Sequence, residues 1–147
     1  MPIFRNMNDL KKHLQQKINN ALVNEVAQVV KSTESKAVKD TVYDAYSPRY
    51  YVRRGNHGGL SDESNLRAEL LDDGILQVQN LTPPNPEYPY PALKSTVAEG
   101  VEYGREYTFF NPGPRPFTKS TVNELDMTGD HIAALEKGLQ RQGIKTK

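Results

Sequence analysis

The sequence predicts an α+β fold: a long N-terminal helix and a C-terminal helix packed on a small antiparallel sheet, with long extended loops. Three observations lead to this prediction. Apolar residues recur at helical spacing near both termini, and between them a stretch of alternating residues surrounds an Asp-Gly turn. The patterns occur once each, without a repeat or linker, so we expect residues 1–147 to form a single domain.

The long N-terminal helix is predicted over residues 8–40. Its apolar residues recur at spacings of three and four: Leu10, Leu14, Ile18, Ala21, Leu22, Val26, Val29 and Val30. Asn6 or Asn8 can cap its start. At about 1.5 Å per residue, about 30 residues reach about 45 Å, more than the width of so small a domain. Residues 31–40 are poorer in apolar side chains, so we expect this half to bend, fray or project toward a neighbour.

A β-hairpin is predicted over residues 65–81. Leu66, Ala68 and Leu70 alternate with charged residues before the Asp72-Asp73-Gly74 sequence, and the alternation resumes after it. Asp-Gly supplies the positive-φ turn that hairpins favour. One face of the hairpin should therefore lie on the long helix.

The other segments follow from proline, aromatic and apolar patterns. Residues 82–91 hold five prolines and predict a surface loop, either a stiff spacer or a contact loop. Residues 93–99 suggest a short helix, and the aromatic residues of 101–110 predict a strand. Residues 117–143 carry a helical stripe that ends at Gly143, and Gly129 within it leaves open one kinked helix or two.

The predicted core joins these apolar stripes. Only these stretches have the period of a helix or strand with one buried face. The expected members are Leu14, Ile18, Leu22, Val26 and Val29 against Leu66, Leu70, Leu76 and Val78, closed by Ile132, Leu135 and Leu139.

Composition excludes several classes of protein. A net charge of +1 argues against a general polyanion binder, so any nucleic-acid contact would be local. Cysteine is absent, which removes disulfides, thiolate metal sites and a cysteine nucleophile. No apolar run approaches the roughly 20 residues of a membrane span, and the N-terminus lacks a signal-peptide core. We therefore expect a soluble, unexported protein without a membrane partner.

No catalytic or metal-binding pattern is present in the sequence. His13, His57 and His131 are isolated, without the spacing that places two ligands on one helix face. The acidic pairs at residues 62–63 and 72–73 lie beside predicted turns, where short acidic side chains commonly form turns. Glycine-rich residues 55–59 lack the lysine or following helix of a phosphate-binding loop. We therefore expect no enzyme activity, no metal and no cofactor.

Residues 41–64 form a predicted arm in which tyrosine and arginine interleave. Pro48 forces Ser47 out of helical geometry, and the glycines around His57 predict a mobile tip. Arginine on tyrosine faces is typical of single-stranded nucleic-acid sites and of protein interfaces, while tyrosines on a strand also cover cores. The near-neutral charge favours the protein interface or the core cover.

The order of several motifs resembles one protein family. After the long helix come Thr-Val-Tyr-Asp-Ala-Tyr at 41–46, Gly59-Leu60, Val-Glu-Tyr-Gly at 101–104, and Arg115-Pro116-Phe117 before the closing helix. This order is similar to the tail-completion (head–tail joining, neck) family of long-tailed bacteriophages, the gene-ten-like minor structural proteins. The resemblance spans most of the chain, and the arm resembles the subgroup from phages of Gram-positive bacteria.

The resemblance implies a non-catalytic virion protein at the head–tail joint, present in the host cytoplasm during assembly. It implies a ring of about six copies between a head-completion or connector protein and the tail tube or terminator, with DNA only as cargo. The alternative is a small nucleic-acid-binding module that uses residues 49–54. The residues expected to bind a partner are Tyr46, Arg49, Tyr50, Tyr51, Arg53, Arg54, His57, Tyr88, Tyr90, Arg115 and Phe117.

Overall fold

The computed structural model describes residues 2–49, 52–85, 96–104 and 113–147. Its fold is α+β, as predicted. The long N-terminal helix comprises α1 (Met7–Ala21), a π-helical turn (Leu22–Val26), α2 (Ala27–Val38) and a second π-helical turn (Lys39–Tyr43). A short 3-10 turn (Glu63–Asn65), β1 (Leu66–Asp72), β2 (Ile75–Asn80), α3 (Val97–Tyr103), α4 (Phe117–Thr128) and α5 (Asp130–Arg141) follow.

The long helix begins at the predicted cap, and its first π-helical turn determines which of its residues are buried. The Asn6 side chain accepts a hydrogen bond from the Asp9 backbone N–H at 2.9 Å. At the first π-helical turn, the N–H of Ala27 bonds to the carbonyl of Leu22, five residues back. The turn takes up an extra residue, so Ala21 and Val26, five apart, are both buried.

The predicted hairpin is confirmed, and its tip contacts α1. β1 and β2 pair antiparallel, with Leu66 opposite Asn80 and Leu70 opposite Leu76. Gly74 in the turn has φ +78°, the left-handed region that glycine favours. Its N–H donates to Asn19 Oδ1 at 2.9 Å, which anchors the tip on the helix.

The C-terminal segment consists of two helices, which resolves the alternative left open by the sequence. Gly129, with φ +69°, ends α4 and precedes α5. Helix α5 runs antiparallel to α1: Gly138 faces Ala21, and Lys17 Nζ donates to the carbonyl of Gln142 at 2.6 Å. α4 packs on α2.

The main core lies elsewhere than predicted. It consists of Val38, Val42, Leu60, Val101 and Phe117. Of the predicted members, only Val26 and Leu66 are buried; Leu14 is 37% exposed and Ile132 is 55% exposed. The remaining predicted members are partly exposed: Ile18, Leu22, Val29, Leu70, Leu76, Val78, Leu135 and Leu139.

The expectation that residues 31–40 would fray or project is also wrong. Glu34, Ser35, Ala37 and Val38 are all buried there. α4 packs on this half of the helix, and Ser35 Oγ donates to the Ser61 carbonyl of the arm. The low apolar content of this half therefore marks a tight contact and not a free end.

The segment before α4 differs from the predicted strand. Residues 97–103 are helical, and Thr96 and Glu99 form a capping box in which each side chain bonds to the other's backbone N–H. The short helix predicted at 93–99 is thus displaced toward the C-terminus, and residues 105–110 of the predicted strand lie outside the described residues. Among the helices that the structure describes, none is both long and apolar enough to cross a membrane.

Candidate partner-binding site

Arg53 in the predicted arm closes the carboxyl end of the long helix. Its guanidinium donates to the carbonyl oxygen of Tyr43 at 2.9 Å and to that of Tyr46. It also lies over both rings, 4.8 Å from the Tyr43 centroid and 5.8 Å from that of Tyr46. Carbonyls at a helix end lack intrahelical donors and carry the negative end of the helix dipole, so a cation is favourable there. The arm therefore folds back on its own helix.

Arg115 and Phe117 are buried, which corrects their predicted role in binding a partner. The Arg115 guanidinium lies 5.6 Å from the Tyr46 ring centroid, and its backbone N–H donates to the Val101 carbonyl at 3.0 Å. Phe117 is 1% exposed and lies in the core. These contacts join α3, α4 and the arm, and the burial of both side chains keeps a partner from reaching them in this conformation.

The glycine-rich tip of the arm is a closed turn. The N–H of Gly58 donates to Asp62 Oδ2 at 2.6 Å, and the N–H of Gly59 donates to the Gly55 carbonyl at 3.1 Å. A Cβ at Gly59 would lie 2.5 Å from that carbonyl oxygen, so only glycine fits. Hydrogen bonds from Ser64 and then Gly58 lower the pKa of Asp62. Gly59 and the two residues after it are buried, whereas Asn56 and His57 at the tip are exposed.

A polar network ties the arm to α2 and the hairpin. Glu34 is buried on α2, and its Oε1 accepts a hydrogen bond from Asn80 Nδ2 at 3.2 Å. Asn80 Nδ2 also donates to the Leu60 carbonyl at 2.9 Å, and Ser35 Oγ donates to the Ser61 carbonyl at 2.6 Å. Burial raises the pKa of Glu34. The network fixes the path of the arm across the helix.

Four of the other predicted contact residues lie in the part of the chain that the structure describes. Arg54 donates to the Pro83 carbonyl at 2.5 Å, while Arg49 is exposed and makes no hydrogen bond or ion pair with the described residues. Tyr46 is half-buried and His57 is exposed. Tyr50, Tyr51, Tyr88 and Tyr90 lie outside the described residues. Of the predicted set, Arg49 and His57 are therefore the accessible side chains that the structure describes.

Two exposed apolar regions were missed by the sequence analysis. One surrounds the start of the long helix, where Met7 is exposed, and the other surrounds the junction of α4 and α5, where Met127 is exposed. Cations outnumber anions around the first region, and the charged residues around the second are aspartate and glutamate. The uneven distribution of charge along the sequence was the signal that could have found them.

Within residues 2–49, 52–85, 96–104 and 113–147, no group of three or more histidine, aspartate or glutamate side chains is arranged to hold a metal ion.

Comparison with known proteins gives a family and one relative. The family model described as YomN matches residues 6–141, which include every described helix and strand. The SPbeta prophage-derived uncharacterized protein YomN of Bacillus subtilis (strain 168) is 29% identical over 121 residues, covering 82% of this chain and 81% of that protein. No solved structure matches significantly. The similarity associates the chain with phage-derived proteins.

Proposed function

The chain belongs to the YomN family, and from this phage association we propose that it is a structural virion protein of the head–tail joint. In this proposal it completes the proximal end of a phage tail and joins it to the head connector. It acts as a ring of about six copies around the passage for DNA. Its partners are further copies of itself, a head-completion or connector protein, and the tail tube or terminator. The proposal assigns it no catalytic step and no cofactor.

The observation that carries the proposal is the length of the N-terminal helix relative to its core. From Met7 to Tyr43 the helix reaches about 55 Å at about 1.5 Å per residue. Its second half contributes Val38 and Val42 to the main core, whereas the first turns leave Met7 and Leu14 exposed. Exposed apolar groups at the start of the helix favour burial against another protein. A joining protein needs such surfaces for several neighbours.

The alternative, a nucleic-acid-binding module, has less support from the arm. Phosphate binding would need the guanidinium groups of residues 49–54 to face a ligand. Arg53 and Arg54 instead donate to backbone carbonyls of their own chain. Only Arg49 among the three is exposed without such a bond to the described residues. One cation is a weak basis for binding a polyanion.

Deletion of the gene from the phage or prophage that carries it tests the proposal. We expect lysates with free heads and free tails that do not join, visible by electron microscopy, and restoration by the wild-type gene supplied in trans. Joined, infectious particles from the deletion strain would contradict the proposal. Failure to make heads or tails at all would also contradict it, because a joining protein acts after both have formed.

Complementation with variants refines this test. Substituting Arg53 would confuse a lost contact with a lost fold, because Arg53 caps the long helix. Arg49→Ala is the better probe of the arm as a contact, since Arg49 is exposed. We expect this variant to fold normally and to reduce the yield of joined particles. A matched change of an exposed cation elsewhere, Lys39→Ala, should restore the yield of the wild type.

A further inference from the structure

The start of the long helix carries exposed apolar side chains among positive charges. Ile3 is 94% exposed and Met7 is 64% exposed, and Met7 and Leu14 lie two turns apart on one face of α1. Residues 2–17 hold four cations, Arg5, Lys11, Lys12 and Lys17, against one anion, Asp9. We call this region the basic end.

The junction of α4 and α5 carries exposed apolar side chains among negative charges. Met127 is 79% exposed, and Val122 and Ile132 are about half exposed. Residues 122–136 contain no lysine or arginine and four anions, Glu124, Asp126, Asp130 and Glu136. Glu124 is 3.4 Å from Lys36 Nζ, which leaves the other three without an ion pair to the described residues. We call this region the acidic corner.

The exposed methionines of the two regions, Met7 and Met127, lie far apart on one molecule. Because α5 runs antiparallel to α1 and ends where Gln142 meets Lys17, its first residue lies about 18 Å from that meeting point. The helix continues from Lys17 to Met7 in the other direction for about 15 Å. Met7 and the start of α5 are therefore about 30 Å apart, so Met7 cannot cover the exposed apolar groups of the acidic corner in its own chain.

We propose that the basic end of one copy docks on the acidic corner of the next copy. This inference rests on the proposed ring and identifies its subunit contact. Both surfaces combine exposed apolar groups with charge of opposite sign, so the contact would bury the apolar groups and pair the charges. A contact between two different surfaces is head-to-tail, and such contacts generate a closed ring when the rotation per subunit closes.

Other occupants are distinguishable by charge. DNA or an anionic membrane would be attracted to the basic end but repelled by the acidic corner. A second copy is the occupant for which both surfaces are complementary. The contact should weaken as salt rises, because solvent-exposed charges are screened over about 8 Å at physiological ionic strength.

Cross-linking between single-cysteine variants tests the contact, because the natural chain has no cysteine. Met7→Cys and Met127→Cys place one thiol on each surface. The two purified full-length variants, one isotopically labelled, are mixed at high concentration and low salt with a short bismaleimide. Mass spectrometry of the linked peptides then reports which positions meet. We expect links between position 7 of one copy and position 127 of another to exceed 7–7 and 127–127 links by about tenfold.

Charge reversal supplies the specificity control. Lys11→Glu with Lys12→Glu in the first variant, or Asp126→Lys with Asp130→Lys in the second, should each reduce the mixed link by about tenfold. Combining both reversed variants should restore it, since the charges are again complementary. The matched control, Lys39→Glu with Arg67→Glu, makes the same change in net charge as the first reversal at exposed cations outside both surfaces and should leave the link unchanged. Circular dichroism checks that each variant folds.

Predominantly symmetric links, no links, or failure of the reversed pair to recover would overturn the inference. Binding of the basic end to short DNA or anionic vesicles without a mixed link would also overturn it. The experiment uses only the purified protein, so its outcome is independent of particle assembly. If the mixed link forms but the deletion strain still gives joined particles, this contact is supported and the head–tail role is rejected. If the mixed link does not form but the deletion strain gives separate heads and tails, only the contact is rejected.

Discussion

Arg53 shows how one side chain in the arm acts on the fold. It supplies donors to the carbonyls of Tyr43 and Tyr46, where the long helix has ended and no helical N–H is available. Its guanidinium also lies over both tyrosine rings. Because the group is half-buried, these contacts are partly shielded from water and contribute more than a surface ion pair would.

Arg53→Ala should lower the free energy of unfolding by about 2 kcal/mol, because hydrogen bonds to a charged donor and a cation–π contact are lost. Chemical denaturation of the purified chain measures the change. Arg49→Ala is the control, with an expected change of about 0.5 kcal/mol or less for an exposed residue. Equal stability of the two variants would mean that Arg53 does not close the helix in solution.

Glu34 is a buried carboxyl whose pKa lies above its ordinary value. Burial is the main cause, the hydrogen bond from Asn80 opposes it, and the negative charge of Glu102 raises the pKa further. As pH rises from below 4.5, the unfolded chain loses this proton before the folded chain does. The contribution of Glu34 to stability is therefore greatest below pH 4.5 and is lost as pH rises through the folded pKa.

Glu34→Gln should raise the melting temperature at pH 7 relative to the wild type, because the amide keeps an acceptor for Asn80 without a buried charge. At pH 4 the two proteins should melt at nearly the same temperature. Comparing variant with wild type at each pH removes the contributions of other titrating groups. A lower melting temperature for the variant at pH 7 would show that the buried carboxylate is stabilised by its surroundings.

Among the secondary-structure elements, the arm and α3 pack on the second half of the long helix, and the main core lies there. Phe117 at the start of α4 is among the largest fully buried side chains in the described residues. Glu102 of α3 supports this position, because its Oε2 accepts from the Thr118 N–H at 2.8 Å and thereby caps α4 from a distance. The first turns of α1 take no part in this core.

Phe117→Ala should therefore cost about 3 to 5 kcal/mol, as expected for removing a buried aromatic side chain. Leu14→Ala, on the exposed part of α1, should cost about 1 kcal/mol or less. Thermal or chemical denaturation of both variants distinguishes the observed core from the one that periodicity predicts. A larger loss of stability for Leu14→Ala than for Phe117→Ala would support the core predicted from the sequence instead.

The crossing of α1 and α5 depends on the absence of a side chain at Gly138. A Cβ there would lie 2.6 Å from Ala21 Cβ and 2.6 Å from Glu25 Oε2. Gly138→Ala should destabilise by about 1 to 3 kcal/mol through overpacking, despite a gain of about 1 kcal/mol in helix propensity. Adding Ala21→Gly removes the opposing methyl group and should recover part of the loss. If Gly138→Ala alone raises the melting temperature, the helices do not approach this closely.

Sequence patterns predicted elements better than contacts. Asn6 as a cap, Gly74 in the hairpin and Gly129 as a break are local signals, because the required backbone geometry depends on neighbouring residues alone. The core was not predictable from hydropathy, because the buried face of α2 includes Glu34 and Ser35. Those side chains are satisfied by Asn80 and by the Ser61 carbonyl, which are distant in the sequence.

The same limit applies to the candidate site. The arm was recognised from its composition, but the role of Arg53 depends on the chain doubling back to Tyr43. Composition gives residue types and not the direction of the chain after Pro48. Arg115 and Phe117 were assigned to partner binding because they belong to a sequence motif. From the sequence alone, a motif of buried structural residues cannot be distinguished from a motif of partner-binding residues.

At the scale of the whole molecule, a net charge of +1 conceals a separation of charge between the basic end and the acidic corner. The segment 1–23 carries four cations and one anion, while 122–136 carries only anions among its Lys, Arg, Asp and Glu residues. A single contact between the basic end of one copy and the acidic corner of another is weak, because association costs translational and rotational freedom. We expect the free protein to be largely monomeric at micromolar concentration and to form its ring where other neighbours share that cost.

Electron microscopy of purified phage particles, with the chain located by a gold-labelled antibody, shows whether the protein lies at the head–tail joint. We expect label at the junction of head and tail, and averaged images of that junction should contain a ring of about six copies. The antibody should give no label on the free heads and free tails from a strain that lacks the gene. Label at the distal tail or on the head shell, or particles that contain no copy of the chain, would contradict the account.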